Sequence, residues 1–148
     1  MSSLKQIVLA TDHGGYHLKE TLKQYLIEEK GMDVIDVGTF SDESIDYPAI
    51  IRKGCSAMLE YHCPGIVLGG SGNGEAIAAN KVRGIRCALV YSEDTARLAR
   101  EHNNANAISL GGRLTDPEDA KRFVDIFLST PFEGGRHKRR IDDLETEM

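Results

Sequence analysis

The residues from Gly69 to Glu75 combine an unobstructed backbone with groups that can exchange a proton. They read Gly-Gly-Ser-Gly-Asn-Gly-Glu, so four glycines surround one hydroxyl and the run ends on a carboxylate. Backbone N–H groups at the start of a helix attract anions. A hydroxyl and a carboxylate beside them suit acid–base chemistry on a small molecule whose transition state is an oxyanion. The alternative is a tight strand–helix turn in which the glycines serve geometry alone.

The loop matches neither of two well-known nucleotide motifs. A P-loop requires Lys and Ser or Thr after its last glycine, but Glu75 and Ala76 follow Gly74. The dinucleotide pattern requires a third glycine where Glu75 stands. The carboxylate would repel a nucleotide phosphate, so a smaller ligand is expected.

Two further polar pairs lie at the ends of predicted elements. Asp12 and His13 follow the first apolar strand, and His102 and Asn103 end the fourth predicted helix. Asp12 could instead cap the next helix, and His102 could stabilise a helix C-terminus. The place of His102 before the fifth strand also lets it face a ligand or a partner subunit. Asn103 is a candidate for hydrogen bonds to sugar hydroxyls.

Three arginines are candidates for phosphate binding. Arg113 follows a Gly-Gly pair at the exit of the fifth strand, and Arg136 and Arg140 are four residues apart on one helical face. A guanidinium fork matches phosphate oxygens. The alternatives for the basic run 136–140 are a solvated face or a nucleic-acid patch. A formal net charge of -5 and the absence of interleaved aromatic residues argue against nucleic acid.

These residues are positioned by strands and helices that alternate along the chain. Such alternation predicts a parallel sheet with helices on both faces, and ligands then bind beyond the C-terminal ends of the strands. A strand order of 2-1-3 would place the Asp12 and Ser71 loops side by side. The predicted strands are Gln6–Ala10, Val34–Val37, Ile66–Leu68, Ile85–Val90 and Ala107–Leu110. The predicted helices are Tyr16–Lys30, Pro48 to about His62, one from Glu75, Glu93–Glu101 and Pro117–Ser129, followed by a charged tail anchored by Ile141 and Leu144. Ser92 is the expected N-cap of the helix Glu93–Glu101.

Length and composition indicate one cytoplasmic domain. The 148 residues suit a single domain over 1–148 with a helical tail from about 133. No apolar run approaches a membrane span and the N-terminus lacks a signal peptide's apolar region. The three cysteines, odd in number and without CxxC spacing, predict reduced thiols rather than a zinc site or a disulfide framework.

Taken together, these motifs resemble the type B ribose-5-phosphate isomerases, a family that also holds galactose-6-phosphate isomerase subunits. The resemblance covers nearly the whole chain. It implies a three-layer α/β/α sandwich with a Rossmann-like five-stranded parallel sheet. It also implies a homodimer or dimer of dimers with shared active sites, and no metal or organic cofactor. The matching segments are Asp12-His13-Gly14, Asp46-Tyr47-Pro48, Gly70-Ser71-Gly72-Asn73-Gly74, Ala78-Ala79-Asn80-Lys81, Gly84-Ile85-Arg86, His102-Asn103, Gly111-Gly112-Arg113 and Glu133-Gly134-Gly135-Arg136-His137 with Arg140.

The chain departs from many members of that family at Gly69, where they carry a catalytic cysteine. It resembles instead the branch in which a glutamate, here Glu75, is the base, so no cysteine is expected to act. By this resemblance Glu75 moves a proton between C1 and C2 of a sugar phosphate through an enediolate, and Ser71 passes a proton between O1 and O2. Loop N–H groups from Gly70 to Gly74 hold the enediolate oxygens. His102 and Asp12 open the furanose ring, while His13, Arg113, Arg136 and Arg140 hold the phosphate.

Three functions remain open at this level. The first is pentose-phosphate isomerisation, and the second is isomerisation of a six- or four-carbon sugar phosphate such as galactose or allose 6-phosphate. The third is non-catalytic sugar-phosphate binding, against which the Ser71–Glu75 pair argues. In each case the site is expected to span two subunits, because the arginine-bearing tail has few apolar residues with which to dock on its own domain.

Overall fold

A computed structural model describes residues 6–146. Within this range one sheet of five parallel strands is surrounded by helices. The strands are β1 (Gln6–Thr11), β2 (Asp33–Asp36), β3 (Gly65–Gly69), β4 (Cys87–Leu89) and β5 (Ala107–Gly111). The helices are α1 (Tyr16–Glu28), α2 (Tyr47–Tyr61), α3 (Asn73–Asn80), α4 (Glu93–Glu101), α5 (Pro117–Ser129) and α6 (Arg136–Leu144), and a short 3-10 helix covers His13–Gly15.

The two faces of the sheet build separate cores, because successive strand residues point to opposite sides. Leu9, Leu68 and Leu110 pack with α1, α4 and α5 on one face. Val8 and Val67 pack with α2 and α3 on the other. This arrangement confirms the predicted three-layer α/β/α sandwich.

The strand order is β2-β1-β3-β5-β4, so the predicted 2-1-3 neighbourhood is confirmed. The loops that follow β1, β3 and β5 therefore meet at one edge of the sheet, which we call the C-terminal edge. The segments that precede the strands meet at the opposite, N-terminal edge. This division decides which candidate residues can meet within one protomer.

Most predicted elements are present, with shifts at their ends. Ser92 caps α4 in a reciprocal arrangement with Thr95, as its place before the helix predicted. Helix α1 ends two residues before the predicted Lys30 because the chain turns at Gly31, whose φ is +65°. Helix α3 begins at Asn73 rather than Glu75.

Two predictions near the C-terminal half are wrong in detail. Strand β4 covers Cys87–Leu89 rather than Ile85–Val90, because the Ile85 N–H closes a turn onto the Val82 carbonyl. Ile141 is buried, as predicted for the tail, but Leu144 is 66% exposed and anchors nothing. Among residues 6–146, no helix has both the length and the apolar character needed to cross a membrane.

Candidate active site

Glu75 is the central residue of the C-terminal edge. It lies in the first turn of α3 and is only 3% exposed, because its side chain turns back over the end of β3. The carboxylate fills the space where a side chain of residue 69 would be. A Cβ on Gly69 would lie closer than 3.0 Å to Cδ and to both carboxylate oxygens of Glu75. Glycine at position 69 is thus what allows the carboxylate to sit there.

The surroundings of Glu75 raise its pKa above that of an ordinary glutamate. Burial is the largest cause, and the adjacent, hydrogen-bonded Asp12 carboxyl raises the pKa further. The backbone N–H groups of Glu75 and Gly72 approach the carboxylate and offset part of the rise. A helix N-terminus favours the charged form and a dry pocket the neutral form, and here the dry pocket prevails. The raised pKa makes the ionised carboxylate a stronger proton acceptor near neutral pH.

Asp12 both caps a helix and contacts Glu75. Its carboxylate accepts a hydrogen bond of 2.8 Å from the Gly14 N–H at the start of the 3-10 helix. The capping alternative is therefore correct, but it does not exclude a role in the site, because the same buried carboxyl is adjacent to Glu75 and raises the pKa of that residue. The preceding residue, Thr11, ends β1 and ties the start of this loop to β3, because its hydroxyl donates to the Leu68 carbonyl at 3.1 Å.

His13 is held in a defined orientation beside Asp12. Its Nδ1 accepts a hydrogen bond of 3.1 Å from the Ile45 N–H, in the loop between β2 and α2. Because Nδ1 is an acceptor, the proton of the neutral imidazole is on Nε2, which can donate to an anion.

The glycine loop is held by hydrogen bonds from β5 and the segment that follows it. The Ser109 hydroxyl donates to the Gly72 carbonyl at 2.7 Å, and the Gly112 N–H donates to the Gly69 carbonyl at 2.7 Å. Ser71 is exposed, and its Oγ accepts from the Asn73 N–H at 3.2 Å. Its hydroxyl proton consequently remains available for donation toward the loop opening.

Arg113 lies at the same edge and crosses the loop. Its guanidinium passes over Gly70, whose missing Cβ would lie 2.9 Å from Nη1. The side chain is exposed and forms no ion pair within residues 6–146. The structure thus brings together at the C-terminal edge a first group of predicted site residues, namely Asp12, His13, Gly70, Ser71, Gly72, Asn73, Gly74, Glu75 and Arg113.

The remaining predicted site residues lie at the opposite edge of the same protomer. His102 and Asn103 end α4 just before β5, and Arg136 and Arg140 are exposed on α6. Helix α6 belongs to this edge because the Glu133 N–H donates to the Glu101 carbonyl at 3.1 Å and His137 stacks on His102. The two edges are separated by the length of the strands, which for the five residues of β5 is about 13 Å. Within one protomer, His102 therefore cannot act on the same small molecule as Asp12.

His102, Glu133 and His137 are close enough to be considered as metal ligands, with one donor atom of each within 4.8 Å of the others. The rings of His102 and His137 are however stacked, with centroids 4.3 Å apart and planes at 15°. The lone pair of an imidazole nitrogen lies in the ring plane, so two stacked rings direct their lone pairs side by side rather than at one ion. The geometry favours a ring stack over a metal site.

The three thiols lie away from the C-terminal edge. Cys55 is within α2, Cys63 precedes β3 and Cys87 begins β4. Burial raises the pKa of Cys55 to about 11 and also raises the pKa of Cys63 and Cys87. Each thiol is thus protonated near neutral pH and is a poor nucleophile or base.

Two features near the site were not predicted. Tyr47 lies against Gly74, where an added Cβ would be 2.8 Å from the phenol oxygen. The resemblance included Tyr47 in a matching segment but gave it no place in the site. Lys19 is fully buried and binds both oxygens of Asp36, at 2.9 and 2.8 Å, as well as the Thr39 carbonyl at 2.8 Å. The signal that could have found Lys19 is helical spacing, because it lies three and seven residues before the core residues Leu22 and Leu26.

The buried Lys19–Asp36 pair supports the loop that orients His13. Burial alone would raise the pKa of Asp36, but hydrogen bonds from Lys19, the Gly38 N–H and Lys23 hold it below its usual value. The paired charges anchor residues 38 and 39, which begin the loop that ends at Ile45 and reaches His13.

A parallel α/β sheet with a buried carboxyl pair and a glycine loop at its C-terminal edge defines an acid–base enzyme for small molecules. Comparison with known proteins agrees, since a model of the family Ribose/Galactose Isomerase matches residues 7–144. The chain belongs to this family.

Individual relatives extend the similarity over nearly the whole chain. The chain is 50% identical to ribose-5-phosphate isomerase B of Mycobacterium leprae, covering 97% of this chain and 90% of that protein. The crystal structure of a ribose 5-phosphate isomerase from Thermotoga maritima is 50% identical, with a TM-score of 0.93 over 97% of this chain and 99% of that one. Ribose-5-phosphate isomerase B from Mycoplasma genitalium, solved with bound ribulose-5-phosphate, is 39% identical, with a TM-score of 0.90 over 97% and 96%.

Proposed function

We propose that this protein is an aldose–ketose isomerase that interconverts D-ribose 5-phosphate and D-ribulose 5-phosphate in the pentose phosphate pathway. The observation that carries the proposal is the Glu75 carboxylate, buried above Gly69 and adjacent to the Asp12 carboxyl within a loop rich in N–H donors. The relatives named as ribose-5-phosphate isomerases support the choice of substrate. The three free thiols suit a reducing cytoplasm.

In the proposed reaction Glu75 removes the proton from C2 of the open-chain aldose. The electron pair of that C–H bond forms the C1–C2 double bond, and the carbonyl oxygen O1 becomes the enediolate oxygen. N–H groups of residues 70–74 stabilise this charge. The Ser71 hydroxyl passes a proton between O2 and O1, and Glu75 returns its proton to C1. Substrate and product are isomers, so the step needs no external oxidant or reductant.

Ring opening and phosphate binding require residues from both edges of the sheet. We infer that a partner subunit presents His102, Asn103, Arg136 and Arg140 to the Asp12 and Glu75 edge. Opening of the furanose then breaks the C1–O4 bond, with the O1 proton passing to Asp12 and O4 taking a proton from His102. The exposed guanidinium groups of Arg113, Arg136 and Arg140, which have no ion pair within residues 6–146, supply the phosphate charge partners. A homodimer, alone or within a dimer of dimers, satisfies these requirements.

Complementation between inactive chains tests the shared site. A Glu75→Gln chain and an Arg140→Ala chain each lack one half, and a mixed dimer holds one site in which both halves are intact. Random mixing of equal amounts should restore about a quarter of wild-type activity. The matched control mixes Glu75→Gln with Arg113→Ala, which lie at the same edge, so no mixed site is complete. Rescue in the control, or none in the test once mixed dimers are shown to form, would contradict the shared site.

Two experiments test the reaction itself: one varies the substrate, and the other removes the proposed base. Turnover on four-, five- and six-carbon aldose phosphates should be highest with ribose 5-phosphate, and a higher rate on a six-carbon phosphate would reassign the substrate. Glu75→Gln should lower kcat about 10²–10⁴-fold, the usual cost of losing a general base, with KM largely unchanged. Alkylation of the thiols should leave the rate nearly intact. An inactive wild type that still binds these sugars would indicate a non-catalytic binding protein.

A further inference from the structure

His137 is buried beneath His102 for a reason that packing alone does not supply. Helix α6 buries two side chains, His137 at 6% exposed and Ile141 at 8%. Ile141 is an ordinary apolar anchor. His137 is instead a polar ring whose plane lies 15° from that of His102, with ring centroids 4.3 Å apart. The two imidazoles therefore form a face-to-face pair at the N-terminal edge.

A histidine at this position is costly. Its Nε2 is buried and has no hydrogen-bond partner within residues 6–146, although a Glu133 carboxylate oxygen lies 3.3 Å away. Burial, His102 and Arg136 lower the pKa of His137, which is consequently neutral near pH 7. A buried polar atom without a partner destabilises a fold, and an apolar side chain there would avoid that loss. The ring stack is the contact that such a replacement would remove.

We propose that His137 is a positioning residue for ring opening, an inference that rests on the proposed function. The neutral ring of His137 fixes the plane of the His102 imidazole, and thereby the direction in which His102 delivers its proton to O4. The arginines on α6 do not depend on the ring, since Ile141 and the bond from the Glu133 N–H to the Glu101 carbonyl still anchor that helix when the ring is removed. His137 itself touches neither the reacting carbons nor Glu75, which lie at the opposite edge of its own protomer.

The two directions of the reaction separate this role from a general structural one. Ribose 5-phosphate enters as a furanose and must be opened. Ribulose 5-phosphate is open-chain, because its phosphate ester occupies the O5 oxygen that a furanose of a 2-ketose would use. Exchange of its C1 hydrogen with deuterium from solvent therefore needs Glu75 and the phosphate clamp, but not ring opening.

The experiment compares His137→Leu, which fills the space without a ring, with His137→Phe, which keeps a flat ring for stacking. His137→Leu should slow conversion of ribose 5-phosphate about 10–100-fold, the usual cost of misplacing a catalytic group. His137→Phe should stay within about threefold of wild type. Both should exchange the C1 hydrogen of ribulose 5-phosphate at near-wild-type rates and keep wild-type inhibition by inorganic phosphate. A chelator is present throughout, so that adventitious metal on the histidines plays no part.

Three results would overturn the inference: equal loss in Leu and Phe variants, no loss in the Leu variant, or parallel loss of deuterium exchange and phosphate inhibition. The last result would mean that α6 had moved as a whole. A cooperative thermal unfolding transition in each variant serves as the check that it is folded. A wild type that neither isomerises ribose 5-phosphate nor exchanges deuterium would refute the proposed function instead, so the two failures are distinguishable.

Discussion

Replacing Gly69 by alanine should inactivate the enzyme without touching a catalytic group. The new Cβ would lie closer than 3.0 Å to three atoms of the Glu75 carboxyl, so that carboxyl must leave its place. Gly69 does not have a positive φ, hence alanine meets no backbone obstacle there. We expect kcat to fall about 10²-fold or more, as for loss of the base itself. Overpacking should also cost about 1–3 kcal/mol of unfolding free energy.

A double-mutant cycle isolates the cause. In a Glu75→Ala background the carboxyl is gone, and the Cβ at residue 69 enters the space that it vacated. There Gly69→Ala should lower neither activity nor stability, and it should add about 0.4–1 kcal/mol of stability by restricting the unfolded chain. Steady-state kinetics and urea unfolding of the four proteins give the coupling between the two positions. An equal stability loss in both backgrounds would show that Gly69 contacts something other than Glu75, and normal kcat in Gly69→Ala would refute the placement of the base.

Three further predictions concern ionisable groups. Asp12→Asn keeps a cap oxygen but removes a charge that raises the pKa of Glu75, so the acidic limb of the kcat/KM–pH profile should move to lower pH; an unmoved limb would contradict the coupling. Because the folded-state pKa of Glu75 is raised, its ionisation destabilises the fold as pH rises, so Glu75→Gln should raise Tm at pH ~7–8 and lose that gain below pH ~4.3. Lys19→Met should cost about 3–5 kcal/mol in urea unfolding by leaving Asp36 buried without its main partner, whereas Lys23→Met, at a position 34% exposed, should cost under about 1 kcal/mol; equal losses would count against the burial argument.

The elements and their order along the chain were predictable because each follows from a local pattern, whereas the places of β4 and β5 in the sheet were not predicted. Apolar runs predicted the strands, and the alternation with helices predicted a parallel sheet. The neighbouring positions of the Asp12 and Ser71 loops followed from a 2-1-3 order that the structure confirms. Short-range signals such as Ser92 before α4 also held.

Details that depend on three-dimensional packing were not predictable. The sequence shows Gly69 and Glu75 six residues apart, but only the fold shows that the second fills the space beside the first. The direction in which the pKa of Glu75 shifts depends on burial, which raises the pKa and outweighs the lowering effect of the helix N-terminus. The exposure of Leu144 and the burial of His137 depend on how α6 lies against α4. Spacing along the chain carries none of this information.

The placement of the candidate groups at opposite edges of one sheet has a kinetic consequence. In the proposed dimer a single folded chain carries two half-sites that face away from each other, so chain folding and the appearance of activity are separate events. The first is unimolecular and the second is an encounter between molecules. Recovery after dilution into refolding buffer should therefore become second order in protein at low concentration. The amount of this protein in a cell would then set not only how many catalysts are present, but what fraction of the folded chains are catalysts at all.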